Sequence, residues 1–318
     1  MLASLAPRMW VERKSSWVGT VLFGGFALPR IWRRVLTVTL ISVAVTILHR
    51  EVDVFHYPIT PVPFTLIGLA LSIFLGFRNS AAYDRFWEGR KLWGALVNTS
   101  RSLTRQALTL LEPRQPEEAQ EVSAFARRLV HMLIGYVHAL RHHLRDSDSA
   151  EVLQETLPEG EFARVSDEDN VPLALLQRMG EMMADARRRN WVHPYHVTIF
   201  EQSLVSLTDI QGACERIKST PIPYSYTVLM HRIVAVYCTM LPFGLDETIG
   251  WATPFVVLGI SYAFFGLDSI GQEIEQPFGL DINDLSLNAI STNIERNLRR
   301  LIGEEQPPPV AAHKGILT

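Results

Sequence analysis

The chain has 318 residues, of which 47% are apolar and 20% charged, so it is long enough for one large domain or two ordinary ones. Its formal net charge of -3 lacks the basic excess of nucleic-acid-binding proteins, and no nucleic-acid partner is expected. The two cysteines, Cys214 and Cys238, do not suggest a disulfide framework, and buried free thiols are favoured over reactive ones.

The N-terminal segment, residues 1–34, combines basic and aromatic side chains. It has no apolar core followed by a small-residue cleavage site, so it does not match a secretory signal peptide. Trp10, Trp17 and Phe23 among the charges indicate a segment that lies along a membrane surface or packs on the protein. An ordinary surface segment is an equal alternative.

Four stretches of the chain are apolar enough to be membrane candidates. The second and fourth reach or approach the ~20 helical residues that a bilayer core requires. The first is short, and the third is interrupted by His231 and Arg232. A soluble protein with four buried helices is therefore an open alternative. The predicted membrane helices lie at about 31–49, 58–80, 223–245 and 249–267.

Charges flank these stretches asymmetrically. The short connector 246–250 is acidic, with Asp246 and Glu247. Under the positive-inside rule, this distribution places both termini and the middle of the chain in the cytoplasm, as four crossings of a bacterial inner membrane require. The basic residues that border the first two stretches are Arg30, Arg33, Arg34, Arg78, Arg85, Arg90 and Lys91.

The middle of the chain has the pattern of soluble helices. Leucines recur at helical spacing among Arg, Gln and Glu, and no strand pattern is evident. We assign residues 84–220 and 268–303 to a helical cytosolic region, so that 1–303 forms one protomer. The tail, residues 304–318, contains three consecutive prolines and few large apolar residues, and we predict that it is disordered.

Two stripes run along the second apolar stretch. Gly68, Ser72 and Gly76 are spaced four apart, which gives one small-residue face that lets neighbouring membrane helices approach closely.

The second stripe is apolar and lies one position further on, at Leu69, Ile73 and Phe77. In a ring of identical helices this face could point at the central axis and form a hydrophobic constriction that gates by dewetting. Lipid-facing or core packing is the alternative that periodicity alone favours.

The segment that follows, Phe77–Gly94, has aromatic residues next to basic ones. This pattern is typical of the point at which a membrane helix leaves the bilayer. It resembles the signature of the bestrophin family, particularly of its bacterial members. Ser219–Tyr226 followed by His231-Arg232, and Glu275–Asp281 with its Pro-Phe-Gly, resemble two further segments of that family. These matches occur in the family's order and extend over residues 61–285.

The resemblance implies an all-α membrane protein, a homopentamer with one central pore and four membrane helices per protomer. The family's neck constriction matches Leu69, Ile73 and Phe77, the positions of the apolar stripe. A second, cytosolic constriction would fall at Ile199, before Gln202-Ser203-Leu204, with a gap nearby in the alignment.

One segment departs from the family pattern. Animal bestrophins follow Pro-Phe-Gly with an unbroken acidic run that helps to bind calcium, whereas this chain has Leu280-Asp-Ile-Asn-Asp284. Helix capping or surface polarity is the favoured role of Asp281 and Asp284, and calcium gating is not expected. His138 and His142, four apart on a helix, could share a metal, but they lack a third ligand, so no metal is expected.

The sequence predicts a passive channel for small monovalent ions. No enzyme signature is present, and neither catalysis nor a cofactor is expected. The expected partners are ions, the lipid bilayer and further copies of the chain. Animal relatives resemble anion (chloride) channels and bacterial relatives include cation (sodium) conductors. The bacterial character therefore favours cations, although the constriction has no fixed charge. A non-conducting scaffold or sensor with a partner-binding cytosolic region is the alternative.

Overall fold

The computed structural model describes residues 28–51 and 60–311. Predictions on residues 1–27, including Trp10, Trp17 and Phe23, on the connector 52–59 and on residues 312–318 lie outside the described residues. Within the described ranges the chain is helical, and its β-structure there is one isolated bridge between Leu111 and Val192. The all-α class is therefore confirmed for this part of the chain.

Ten α-helices occur in the described ranges, together with 3-10 turns at Pro116–Glu118 and Gly250–Ala252. The helices are α1 (Leu28–Glu51), α2 (Val62–Thr109), α3 (Ala119–Leu144), α4 (Ala150–Thr156), α5 (Phe162–Val165), α6 (Val171–Arg188), α7 (Pro194–Ser219), α8 (Tyr224–Ile249), α9 (Thr253–Ile274) and α10 (Leu287–Leu301).

The chain divides into two compact units. Helix α2 contributes to both, because the division falls after Phe86. Of the described residues, the first unit contains those up to Phe86, Pro221–Pro277 and Asp281–Asn283, and the second contains Trp87–Thr220, Phe278–Leu280 and those from Asp284 onwards.

The apolar helices belong mainly to the first unit. Three described stretches are long and apolar enough to cross a membrane: Pro29–Glu51, Val62–Thr109 and Tyr224–Ile274. The last of these contains both α8 and α9, separated by the turn at Gly250–Ala252, where Gly250 adopts a φ of 55°. That left-handed backbone favours glycine and ends α8. Pro254 then lies in the first turn of α9, where its missing N–H costs no helical hydrogen bond.

The core of the first unit is apolar and comes from all four of its described helices. Buried side chains of α1, α2, α8 and α9 pack together, and their outer faces carry many exposed large apolar residues. Such a surface fits a lipid or protein environment better than water. The core consists of Ile31, Val35, Val38, Leu71, Leu75, Met230, Val234, Tyr237, Cys238, Leu241, Val257 and Phe265.

Helix α2 does not end near residue 80, where we expected the second membrane helix to stop. It continues to Thr109 and is 48 residues long. The physical reason is local: after Pro63 in its first turn, the next proline is Pro113, so nothing removes a hydrogen bond within the helix. The change from apolar to mixed composition alters what the helix contacts without interrupting it.

The second unit is built around α3, whose consecutive buried residues Met132–Leu140 contact other helices on every side. The Tyr136 hydroxyl donates a hydrogen bond to the Leu207 carbonyl oxygen at 2.9 Å. The predicted tail begins with contacts to this unit, since Glu304 bonds to His131 at 3.0 Å and to Arg299 at 3.1 Å. Disorder of its last seven residues stays a prediction.

Candidate pore face and charged sites

Helix α2 has a buried and an exposed side in the first unit. Leu71 and Leu75 are 2% and 1% exposed, whereas Leu69, Ile73 and Phe77 are 61%, 50% and 65% exposed. The three predicted neck residues thus form one apolar stripe that the protomer itself leaves uncovered. A row of exposed apolar side chains is unfavourable in water. Such a face is expected to contact lipid or a second protein surface, or to line a narrow pore.

The small-residue stripe has two kinds of neighbours. A Cβ atom on Gly68 would collide with the Tyr237 hydroxyl, so glycine permits the close approach of α2 and α8 within the protomer. The Ser72 hydroxyl donates to the Gly68 carbonyl oxygen at 2.7 Å. Gly76 faces open space. Packing between subunits through Ser72 and Gly76 stays a prediction.

Ile199, the predicted cytosolic constriction, lies in the first turns of α7 in the second unit. Its side chain is 36% exposed, and the neighbouring Ser203 hydroxyl donates to Gln106 Oε1 at 3.0 Å. That buried bond joins α7 to α2. Ile199 therefore lies on a well-held helix, but its role in a pore stays a prediction.

A buried ion pair joins α2 to α9. Arg78 Nη1 lies 2.6 Å from Asp268 Oδ1, and the two side chains are 0% and 2% exposed. The second oxygen, Asp268 Oδ2, lies 2.6 Å from His231 Nδ1 on α8. Arg34 Nη1 on α1 lies 4.0 Å from the same oxygen, so a single carboxylate connects all four described helices of the first unit.

Further polar contacts surround this pair. Asn79 donates to the Leu267 carbonyl oxygen at 3.1 Å, and Arg85 Nε donates to the Glu275 carbonyl oxygen at 3.0 Å. The second Arg78 nitrogen is 3.9 Å from a Glu275 oxygen. The sequence prediction treated Arg78 as one of several basic residues at a membrane boundary and missed its burial. The feature of the sequence that could have indicated this burial was the position of Arg78 directly after an uncharged run.

A second buried carboxylate lies at the other end of these helices. Asp246, in the last turn of α8, is 1% exposed, and its Oδ2 is 2.5 Å from His49 Nδ1. Arg50 donates to the Asp246 carbonyl oxygen at 3.0 Å and also packs against Gly250. The acidic connector that the sequence indicated is thus partly internal, and its carboxylate holds the end of α1.

The loop that corresponds to the calcium-binding run contains an arginine bridge. Arg30, in the first turn of α1, lies 3.1 Å from Glu273 and 2.5 Å from Asp281. Asp281 therefore forms an ion pair with Arg30. From the sequence, helix capping or surface polarity had been the favoured role of Asp281. Asp284 belongs to the second unit. In the described ranges no group of three or more His, Cys, Asp or Glu side chains could hold a metal ion.

The two histidines considered as metal ligands have separate partners. His138 Nε2 lies 2.8 Å from Glu295, whereas His142 contacts Arg141 at 2.6 Å and Ser147 at 2.9 Å. A neighbouring guanidinium disfavours any further cation at His142. Burial and Arg141 lower the pKa of His142 to about 4.

Both cysteines are free and buried. Burial raises the pKa of the Cys214 thiol to about 12, followed in size by the effects of Glu215 and Glu88. Such a thiol stays protonated and unreactive at neutral pH.

Comparisons with known proteins agree with this architecture. A voltage-dependent anion channel-forming protein of Ralstonia nicotianae is 42% identical over 97% of this chain and 97% of its own length. The voltage-dependent anion channel-forming protein YneE of Escherichia coli K12 is 38% identical over 94% of this chain and 93% of its own. The crystal structure of a bacterial bestrophin homologue from Klebsiella pneumoniae superimposes with a TM-score of 0.80, at 34% identity, over 86% of this chain and 99% of that one.

The described fold and its apolar helices define a helical membrane protein. Residues 9–300 match the family described as Bacterial/Fungal Bestrophin protein, and the chain belongs to that family.

Proposed function

We propose that this protein is a passive ion channel, formed by a ring of identical subunits around one central pore. Five subunits are what the bestrophin resemblance implies, with heterologous interfaces that close the ring. Leu69, Ile73 and Phe77 form its hydrophobic neck, and Ile199 contributes a second constriction. The observation that supports this proposal best is the exposed apolar stripe on α2 directly opposite a buried one.

The membrane arrangement that we propose has four crossings: α1, the first part of α2, α8 and α9. Both termini and the second unit then lie in the cytoplasm of a bacterial cell, with the protein in the inner membrane. The basic residues around α1 and after the apolar part of α2 support this orientation. The length and apolarity of Pro29–Glu51 and Tyr224–Ile274 support the crossings.

The permeant species that we propose are small monovalent ions. An apolar neck selects by width and dehydration cost, so charged groups outside it decide the sign. The names of the relatives point to anions and do not support the preference for cations that we drew from the bacterial resemblance. Reversal potentials under an asymmetric salt gradient determine the sign directly.

The test is conduction by the purified protein in planar bilayers or liposomes, compared with Ile73→Ala. We expect wild-type flux and an altered flux or selectivity in the variant with the oligomer intact. Ile67→Ala is the matched control: it lies on the same helix, is 48% exposed against 50% for Ile73, and points about 120° away. Equal conduction by wild type and both variants would remove Ile73 from the neck.

A non-conducting scaffold or sensor is the competing function. It predicts an intact oligomer without ion flux under any gradient or voltage, so the same recordings separate the two. Release of the protein from membranes without detergent would eliminate both.

A further inference from the structure

The exposed face of α2 continues past the neck to an acidic residue. Asp84 follows Phe77 by seven residues, which in an α-helix is about 10.5 Å along the axis and within about 20° of the same direction. The dipeptide Phe77-Arg78 and the segment up to Phe86 lie in one continuous helix of the first unit. Whatever direction Phe77 faces, Asp84 faces it as well, two turns further on.

Asp84 is the first charge on this face beyond Phe77; the next position on it, seven residues further along the same helix, is the exposed Lys91. Between Val62 and Phe86 the helix carries three charged residues, Arg78, Asp84 and Arg85. Arg78 is buried against Asp268, and Arg85 is turned to the Glu275 backbone, as described above. The Asp84 side chain is exposed and forms no hydrogen bond or ion pair with any residue in 28–51 or 60–311.

We propose that Asp84 is a specificity-determining residue of the channel, one that favours cations over anions beyond the neck. This inference rests on the proposed neck and ring, because it uses the direction of Phe77. In a ring every subunit contributes one carboxylate at the same height. Rings of Asp or Glu raise the local cation concentration and repel anions, and they do so without closing the pore.

The Asp84 carboxylates act on passing ions through their electric field, so their effect becomes weaker as the ionic strength rises. The Debye length is about 30 Å at 0.01 M and about 3 Å at 1 M ionic strength. At the lower value the carboxylate ring acts across the whole mouth, whereas at the higher value it is screened within one side-chain diameter. A residue that only supports the fold would not produce this salt dependence.

The experiment measures the cation-to-anion permeability ratio of the full chain in planar bilayers, for wild type, Asp84→Asn, Asp84→Glu and Asp84→Lys. We expect Asp84→Asn to lower the ratio about threefold near 0.01 M salt and to leave it unchanged near 1 M. Asp84→Glu should retain the wild-type ratio, and Asp84→Lys should lower it further. Glu51→Gln, an exposed acid at the end of α1, controls for loss of a surface charge.

The outcomes separate this inference from the proposed function. Suppose that wild type conducts and Ile73→Ala alters conduction, but wild type and all Asp84 variants have the same cation-to-anion permeability ratio at low salt. The role of Asp84 is then overturned, and the proposed neck stands. If wild type does not conduct, the proposed channel and the role of Asp84 both fall. Should Asp84→Asn not assemble, Asp84→Ser provides the neutral variant at the same exposed position.

Discussion

Arg78 and Asp268, 190 residues apart in the chain, form an ion pair at 2.6 Å whose two side chains are almost completely buried. Burial of both charges is costly, and the attraction between them offsets that cost only while both partners are present. The pair therefore contributes more to the fixed geometry of α2 and α9 than to net stability. It also holds the helix that carries the proposed neck.

Removal of one partner should destabilise the protein strongly. We expect Asp268→Asn to cost about 3–5 kcal/mol, because the Arg78 guanidinium is left buried without its carboxylate. The measurement is the thermal unfolding of the detergent-solubilised protein. The double variant Arg78→Met with Asp268→Leu should recover part of the loss, since an apolar pair needs no compensation.

The control for this prediction is an exposed ion pair. Arg216 and Glu88 lie 2.7 Å apart, but their side chains are 66% and 45% exposed. Glu88→Gln should change the free energy of unfolding by no more than about 1 kcal/mol. Similar losses from Glu88→Gln and Asp268→Asn would contradict the importance that we assign to burial.

The Arg30 bridge makes a prediction about calcium. Since the guanidinium already lies against Glu273 and Asp281, calcium should not raise the unfolding temperature of the wild-type protein relative to a chelator. Arg30→Gln should lower stability by about 1–2 kcal/mol, because Glu273 is buried while Arg30 is half exposed. A clear rise of the wild-type unfolding temperature on addition of calcium would contradict this prediction. It would show that the Arg30 guanidinium does not take the place of a bound cation in this loop.

Arg33→Gln is the matched control for Arg30. Arg33 lies on the same turn region of α1, and its guanidinium stacks on Trp32 at 5.5 Å from the ring centroid. No acidic partner of Arg33 occurs in the described part of the chain. Its replacement should therefore have a smaller effect on stability than that of Arg30, about 0.5–1 kcal/mol.

The face of α2 could be predicted from the sequence, because helical spacing is a local property. Residues 69, 73 and 77 fall on one stripe by periodicity alone, and the structure leaves all three exposed. The end of α2 could not be placed from its apolar content. The sequence contains no stop signal at residue 80, so the boundary of the apolar run was mistaken for the boundary of the helix.

The ion pairs could not be predicted, since they depend on which helices become neighbours. Arg78 follows an uncharged run and is typical of a basic residue at a membrane surface, but Asp268 on a distant helix keeps it inside the unit. Likewise, Arg30 reaches Asp281 only after α1 and the loop have packed. Charge pairing across 190 or 251 residues leaves no trace in local spacing.

His142 makes a prediction about pH. Burial and the nearby Arg141 lower its pKa from the ordinary 6.5 to about 4, with smaller effects of His138 and Arg145. Between these two pH values the unfolded chain binds a proton that the folded chain does not. The contribution of His142 to stability is therefore retained above pH 6.5 and lost as the pH falls from 6.5 towards 4.

The variant His142→Asn removes this titration while it retains a polar side chain beside Ser147. We expect its loss of stability between pH 6.5 and 4.5 to be smaller than that of wild type by about 1 kcal/mol, a value reduced for solvent screening because the ring is only partly buried. Thermal unfolding at several pH values provides the measurement. His143→Asn, which alters the neighbouring histidine and its contact with Glu215 at 3.1 Å, is the control. Identical pH dependence in His142→Asn and wild type would show that His142 is protonated as readily in the folded protein as in the unfolded chain.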